Sequence, residues 1–139
     1  MRNDVTGISL KKKILIVDDE DQVRDFVSTV LEENGYTPLM ARNGEEAMEM
    51  IRQKRPDLII MDILMPKQGG IRMYRELKSS ERFKDIPVVI YSGIAKRTFL
   101  RTQAARVELG DKSVPDPEAY IEKPAKPEYL EGIIKKLLD

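Results

Sequence analysis

The chain has 139 residues, with Lys+Arg and Asp+Glu balanced at 24 each. That length suits one domain with an ordinary hydrophobic core, and the balance gives no global attraction to nucleic acid or an anionic membrane. There is no Cys and no His. Disulfides, thiolate and imidazole metal sites, Ser-His-Asp hydrolysis and a phosphohistidine carried by this chain are therefore excluded. Any covalently held phosphoryl group must sit on a carboxylate or a hydroxyl. The apolar runs are too short to span a bilayer, and Met1 to Lys13 lacks the apolar stretch of a signal peptide. A cytoplasmic location is expected.

In chain order, Ile14-Leu15-Ile16-Val17 reads as a buried strand. Val23, Phe26, Val27, Val30 and Leu31 follow it at helical spacing, and Gly35 stands where a helix would stop. Tyr36 to Ala41 reads as a second strand. Asn43 is a candidate N-cap for a helix carrying Ala47, Met48 and Ile51, which Pro56-Asp57 breaks. Leu58-Ile59-Ile60-Met61 is a third strand. The loop Met65-Pro66-Lys67-Gln68-Gly69-Gly70 leads to a helix with Ile71, Tyr74 and Leu77. Pro87 precedes a fourth strand, Val88 to Tyr91. A fourth helix is expected from about Ala95, packing Phe99, Leu100 and Val107, followed by a loop from Gly110 to Pro117. Tyr120-Ile121-Glu122 is a short fifth strand. The last helix begins near Pro127 and carries Leu130, Ile133, Ile134, Leu137 and Leu138.

Strands alternate with helices, and the strand runs are apolar without alternating. Both features indicate an α/β domain whose parallel sheet is covered on both faces, a doubly wound arrangement with too few units for an eight-fold barrel. In such a sheet the carboxyl ends of the strands share one edge, where ligands bind. The polar residues fall there. Asp18-Asp19 follow the first strand, Asp62 follows the third, Ser92 follows the fourth and Lys123-Pro124 follow the fifth.

Each of these has an ordinary reading as well: acidic residues favour helix N-termini, and strand-end Ser and exposed Lys are common. Together they suit a divalent metal and a phosphoryl group. Adjacent carboxylates resist ionising beside a third unless a cation is present, and Mg²⁺ is hard and oxygen-seeking. A carboxylate such as Asp62 can attack phosphorus. Lys123 can supply a point charge to a phosphoryl oxygen, and Ser92 a hydroxyl hydrogen bond. A cis Lys123-Pro124 peptide would aim the lysine into the pocket.

The motifs Val17-Asp18-Asp19, Met61-Asp62 with Met65-Pro66 and Gly70, Ser92-Gly93, and Tyr120-Ile121-Glu122-Lys123-Pro124 resemble, in order and spacing, the receiver (CheY-like) domain of two-component response regulators. The resemblance implies a flavodoxin-like (βα)5 fold with strand order 2-1-3-4-5. It implies an N-terminal extension over 1–11 and a receiver domain over 12–139. It makes Asp62 the phosphorylated residue and Mg²⁺ the cofactor. Asp19, Asp62 and the backbone carbonyl of Leu64 would bind the metal directly, and Asp18 mainly through metal-bound water. Ser92 and Lys123 would read the phosphoryl oxygens, Tyr120 would be the aromatic switch coupled to Ser92, and Gly93 would keep the pocket entrance open. The phosphodonor would be a sensor histidine kinase or a histidine phosphotransfer protein. Direct contacts with nucleic acid or membrane are not expected, nor is enzymatic turnover. Either a stand-alone receiver or part of a larger protein fits this pattern.

Three departures from the family pattern stand out. Gly69 replaces a common Asp or Asn, Ala125 replaces a common Phe, and the stretch between Ser92 and Lys123 is longer than usual. The extra residues are placed at 107–117, either lengthening the fourth helix or the loop after it. They read either as a tolerated surface insertion or as a segment that modifies the face made by the fourth helix, fifth strand and last helix. Two other readings are weaker. An aspartyl-phosphate phosphatase would want a second Asp two residues after the nucleophile, where Leu64 stands. A degenerate receiver-like binding module would not need the complete set of five pocket residues.

Overall fold

A computed structural model describes residues 11–65 and 69–139. The expected N-terminal extension, apart from Lys11, and Pro66 to Gln68 of the third loop lie outside the described residues. Ten elements alternate: β1 (Lys13–Val17), α1 (Asp21–Glu33), β2 (Thr37–Ala41), α2 (Gly44–Gln53), β3 (Leu58–Met61), α3 (Gly70–Ser79), β4 (Val88–Ser92), α4 (Lys96–Glu108), β5 (Ala119–Glu122) and α5 (Pro127–Leu138). The five strands form one parallel sheet in the order β2-β1-β3-β4-β5.

The period-two geometry of the strands divides the core. Ile14, Ile16, Leu58, Ile60, Val89, Tyr91 and Ile121 face α1 and α5, where Val27, Leu31, Leu130 and Ile134 meet them. Leu15, Val17, Ile59, Met61, Val88 and Ile90 face α2, α3 and α4. This explains the unbroken apolar runs of the central strands β1, β3 and β4, whose two faces are both covered by helices, while the edge strands β2 and β5 are half-exposed. Each fully buried Ile or Leu contributes about 1.5–3 kcal/mol relative to exposure.

The helix ends follow local sequence. Asn43 caps α2 by accepting from Glu46 N at 2.8 Å. Gly35 takes φ +82° just past α1, with Gly35 N donating to Glu32 O and Tyr36 N to Leu31 O. That crossed pair is the Schellman arrangement, and glycine adopts the positive φ without a Cβ penalty. It recurs at Gly110, φ +105°, where Gly110 N donates to Val107 O and Asp111 N to Arg106 O. The second instance stops α4 abruptly.

One expectation for α4 needs correction. Phe99 is buried and Leu100 packs half-buried on the same core, as expected, whereas Val107 is exposed. The apolar spacing of α4 is too sparse to make a broad stripe. The segment after α4 is fastened to α3. Tyr74 donates its hydroxyl to Pro115 O at 2.5 Å, Arg75 donates to Lys112 O, and Val114 packs on the core beneath α3 and α4. Lys78 of α3 pairs with Glu118 at 2.8 Å, and Glu118 also accepts from Val88 N at 2.7 Å. Residues 107 and 108 complete the helix, and the rest of 107–117 is loop.

Candidate phosphoryl-acceptor site

Backbone hydrogen bonds extend the sheet one residue past several strands and so set the site. Asp62 N donates to Val17 O at 3.0 Å, Asp18 N to Ala41 O at 3.2 Å and Lys123 N to Ser92 O at 2.8 Å. Val17 pairs with Met61 in register, so Asp18 and Asp62 stand side by side. The Lys123-Pro124 peptide is cis.

Asp18, Asp62 and Ser92 are buried, at 2%, 5% and 0% exposure, while Asp19 is exposed. The two buried carboxylates are held alike. Asp18 Oδ1 accepts from Glu20 N at 2.9 Å, and Asp62 Oδ1 accepts from Leu64 N at 2.9 Å. Each then turns its Oδ2 to the Lys123 ammonium, at 2.8 Å from Asp18 and 3.1 Å from Asp62. Burial would lower the Lys123 pKa, but the hydrogen bonds and charges of Asp18 and Asp62 outweigh it and the pKa is raised. Lys123 is therefore a fixed positive charge at neutral pH.

One oxygen from each of Asp18, Asp19 and Asp62 lies within 4.8 Å of the others. Three carboxylates, two of them buried, form an all-oxygen donor set that fits Mg²⁺. Leu64, whose carbonyl is the fourth expected ligand, follows Asp62 by two residues and has an exposed side chain. The first residue of α3 lies directly behind this loop. A Cβ on Gly70 would come closer than 3.0 Å to the Asp62 carbonyl oxygen and to Ile63 Cα and C. That close approach is the physical reason for glycine there.

On the far side, Ile94 joins Ser92 to Tyr120. Its N–H donates to Ser92 Oγ at 3.3 Å, and its carbonyl accepts from the Tyr120 hydroxyl at 2.7 Å. The Tyr120 ring lies 5.5 Å from Phe99, which is 5.7 Å from Tyr74. Burial, then the charges of Glu122 and Asp62, push the Tyr120 pKa up to about 12. Gly93 is exposed and a Cβ there would meet open space.

Sequence reasoning missed three supporting residues. Arg24 is buried, donates to the Asp18 carbonyl at 2.6 Å and pairs with Asp21. Its one signal was a cation inside the apolar half of α1. Glu20 stands 4.0 Å from Lys123, and Tyr91 lies beneath that ammonium. Tyr91 was hidden inside an apolar strand run.

The family model of the response regulator receiver domain matches residues 14–135. The chain belongs to that family. It is 32% identical to the polar-differentiation response regulator DivK of Brucella anthropi, over 94% of this chain and 99% of that protein. It is also 32% identical to the probable transcriptional regulator ycf27 of Guillardia theta, over 94% of this chain but 47% of that protein. The chain thus spans about half the length of several curated relatives it matches. The response regulator TrrA of Thermotoga maritima, solved in complex with Mg²⁺-BeF, superposes with a TM-score of 0.74 at 30% identity, covering 91% of this chain and 99% of that one. The receiver fold and the 2-1-3-4-5 parallel sheet agree with the expectation from sequence. Among the described residues no helix is long and apolar enough to cross a membrane.

Proposed function

We propose that this receiver domain, spanning residues 12–139 with an insertion at 107–117, accepts a phosphoryl group on Asp62 from a partner's phosphohistidine. The observation that carries the reading is the convergence of Lys123 on Asp18 and Asp62, beside Asp19 and Ser92. The relative solved with Mg²⁺-BeF supports the same chemistry. The donor is a sensor histidine kinase or a histidine phosphotransfer protein.

In the transfer, an Asp62 carboxylate oxygen forms a P–O bond as the P–N bond of the donor breaks. The electron pair stays on the imidazole nitrogen, which then takes a proton. Asp18, Asp19, Asp62 and the Leu64 carbonyl would hold Mg²⁺, which neutralises charge on the transferring group when bound. The Leu64 amide, bonded to Oδ1, orients the attacking carboxylate. An ammonium has three donors, and Lys123 spends two on Asp18 and Asp62, so the third serves a phosphoryl oxygen. The Ser92 hydroxyl serves another. As Ser92 is drawn toward the phosphate, Ile94 transmits the change to Tyr120, which acts as the switch. The domain promotes its own phosphorylation and dephosphorylation without turning over a separate substrate.

Purified protein given acetyl phosphate and Mg²⁺ gains one acid-labile phosphoryl group by intact mass. Asp62→Asn abolishes the gain and EDTA suppresses it. Equal labelling of the Asp62→Asn variant overturns the assignment.

A further inference from the structure

Ala125 removes an aromatic side chain that the family pattern commonly places after Lys-Pro, and the structure puts another aromatic ring nearby. Tyr91 is 5% exposed and packs in the same cluster as Ala125, Ile121 and Leu130. Its hydroxyl oxygen accepts from Ala125 N at 3.4 Å, and the Lys123 ammonium lies 5.5 Å from its ring centroid. Tyr91 thereby touches both sides of the Lys123-Pro124 peptide. Its neighbour Ser92 holds the backbone of the same lysine, through Lys123 N and Ser92 O at 2.8 Å. Two successive β4 residues thus grip Lys123 by its main chain and by its charged head.

An aromatic face attracts a cation through its quadrupole and uses none of the cation's hydrogen bonds. That distinction matters here. A carboxylate in place of the ring would take the third N–H of Lys123, the one left after Asp18 and Asp62, since Glu20 at 4.0 Å is beyond hydrogen-bond reach. A ring supports the ammonium and leaves that donor for an incoming oxygen.

We infer that Tyr91 is a positioning residue for the phosphoryl transfer: its ring face holds the Lys123 ammonium over the acceptor carboxylates while leaving one of its donors free. The inference rests on the reading of Asp62 as acceptor and acts only through Lys123. The hydroxyl bond to Ala125 N is long and secondary, so the ring carries the effect.

The test uses the full chain with Mg²⁺ and acetyl phosphate, and follows the initial rate of phosphoryl gain by intact mass. Tyr91→Phe keeps the ring and labels within about two-fold of the parent, whereas Tyr91→Leu labels about five-fold more slowly, the loss of one cation–π contact. Because a buried Leu could also disturb packing, phenylalanines of increasing fluorination are placed at 91. They keep the shape and drain the ring face, so the rate falls stepwise with fluorination; packing alone would not follow ring electronics. Separately, NMR of the unphosphorylated parent shows the Lys123 ε-methylene signal, assigned with Lys123→Arg, displaced by the ring and restored in Tyr91→Leu. A rate indifferent to fluorination, or a Lys123 signal with no displacement, overturns the inference. Failure of the parent to label on Asp62 instead overturns the acceptor reading, while the NMR displacement still reports whether Tyr91 holds Lys123.

Discussion

Gly70→Ala sets two opposing effects against each other. In a helix, Ala is favoured over Gly by up to about 1 kcal/mol, and by less in the first turn. Against that, the new Cβ would sit closer than 3.0 Å to the Asp62 carbonyl oxygen and to Ile63 Cα and C. All three are backbone atoms at the end of β3, so no side chain can rotate away. Overpacking of this kind costs about 1–3 kcal/mol, and rigid neighbours put it toward the upper end. The clash wins, and a net destabilisation of about 1–2 kcal/mol is expected. Relief requires α3 or the Asp62–Leu64 turn to move, and a misplacement of about 1 Å at a reacting group can cost about 100-fold in rate. Urea unfolding and the rate of labelling by acetyl phosphate measure the two effects. Gly132→Ala is the control, because a Cβ in α5 meets nothing within 4 Å and stabilises by about 0.5–1 kcal/mol. If Gly70→Ala were as stable as the parent and labelled as fast, the close packing of α3 on the acceptor loop would not constrain the site.

Two further outcomes follow from groups outside the carboxylate cluster. Lys78→Met removes the buried ammonium and leaves Glu118, which is solvent-exposed and still accepts from Val88 N, so it should cost about 1–2 kcal/mol in urea unfolding; once Glu118 is Gln the same change should cost less, and no loss at all in the single variant would deny the pair its role. Tyr120 ionises at about 12 rather than 10.0, so the difference in tyrosinate absorbance between parent and Tyr120→Phe should develop only above the ordinary tyrosine range. The folded state keeps this proton where the unfolded chain has lost it, so Tyr120's contribution to stability is complete below pH 10 and is lost between there and about 12. An ordinary Tyr120 titration would contradict its burial against Phe99.

The legible parts of this molecule are those that depend on side-chain type. Unbroken apolar runs marked the central strands β1, β3 and β4, whose two faces are both covered. The carboxyl-edge rule then gathered Asp18, Asp19, Asp62, Ser92 and Lys123, although they are scattered along the chain. What escaped depends on backbone groups or on context. The loop after α4 is fastened to α3 through the carbonyls of Lys112 and Pro115, and a carbonyl leaves no trace in sequence. Arg24 likewise acts on the Asp18 carbonyl. Tyr91 reads as one more core residue until the cis peptide and Ala125 are seen beside it. Val107 misled because helical spacing alone does not say whether a neighbour covers that face, and α4 is anchored mainly by Phe99.

The proposed function turns on the carboxylate of Asp62 as the phosphoryl acceptor. Borohydride reduces an aspartyl phosphate to homoserine, so reduction of the labelled protein followed by peptide mass mapping locates the acceptor directly. Homoserine is expected at position 62, and is absent without Mg²⁺ or without phosphodonor. Homoserine elsewhere, or a borohydride-resistant phosphate on Ser92 with Asp62 unchanged, would contradict it.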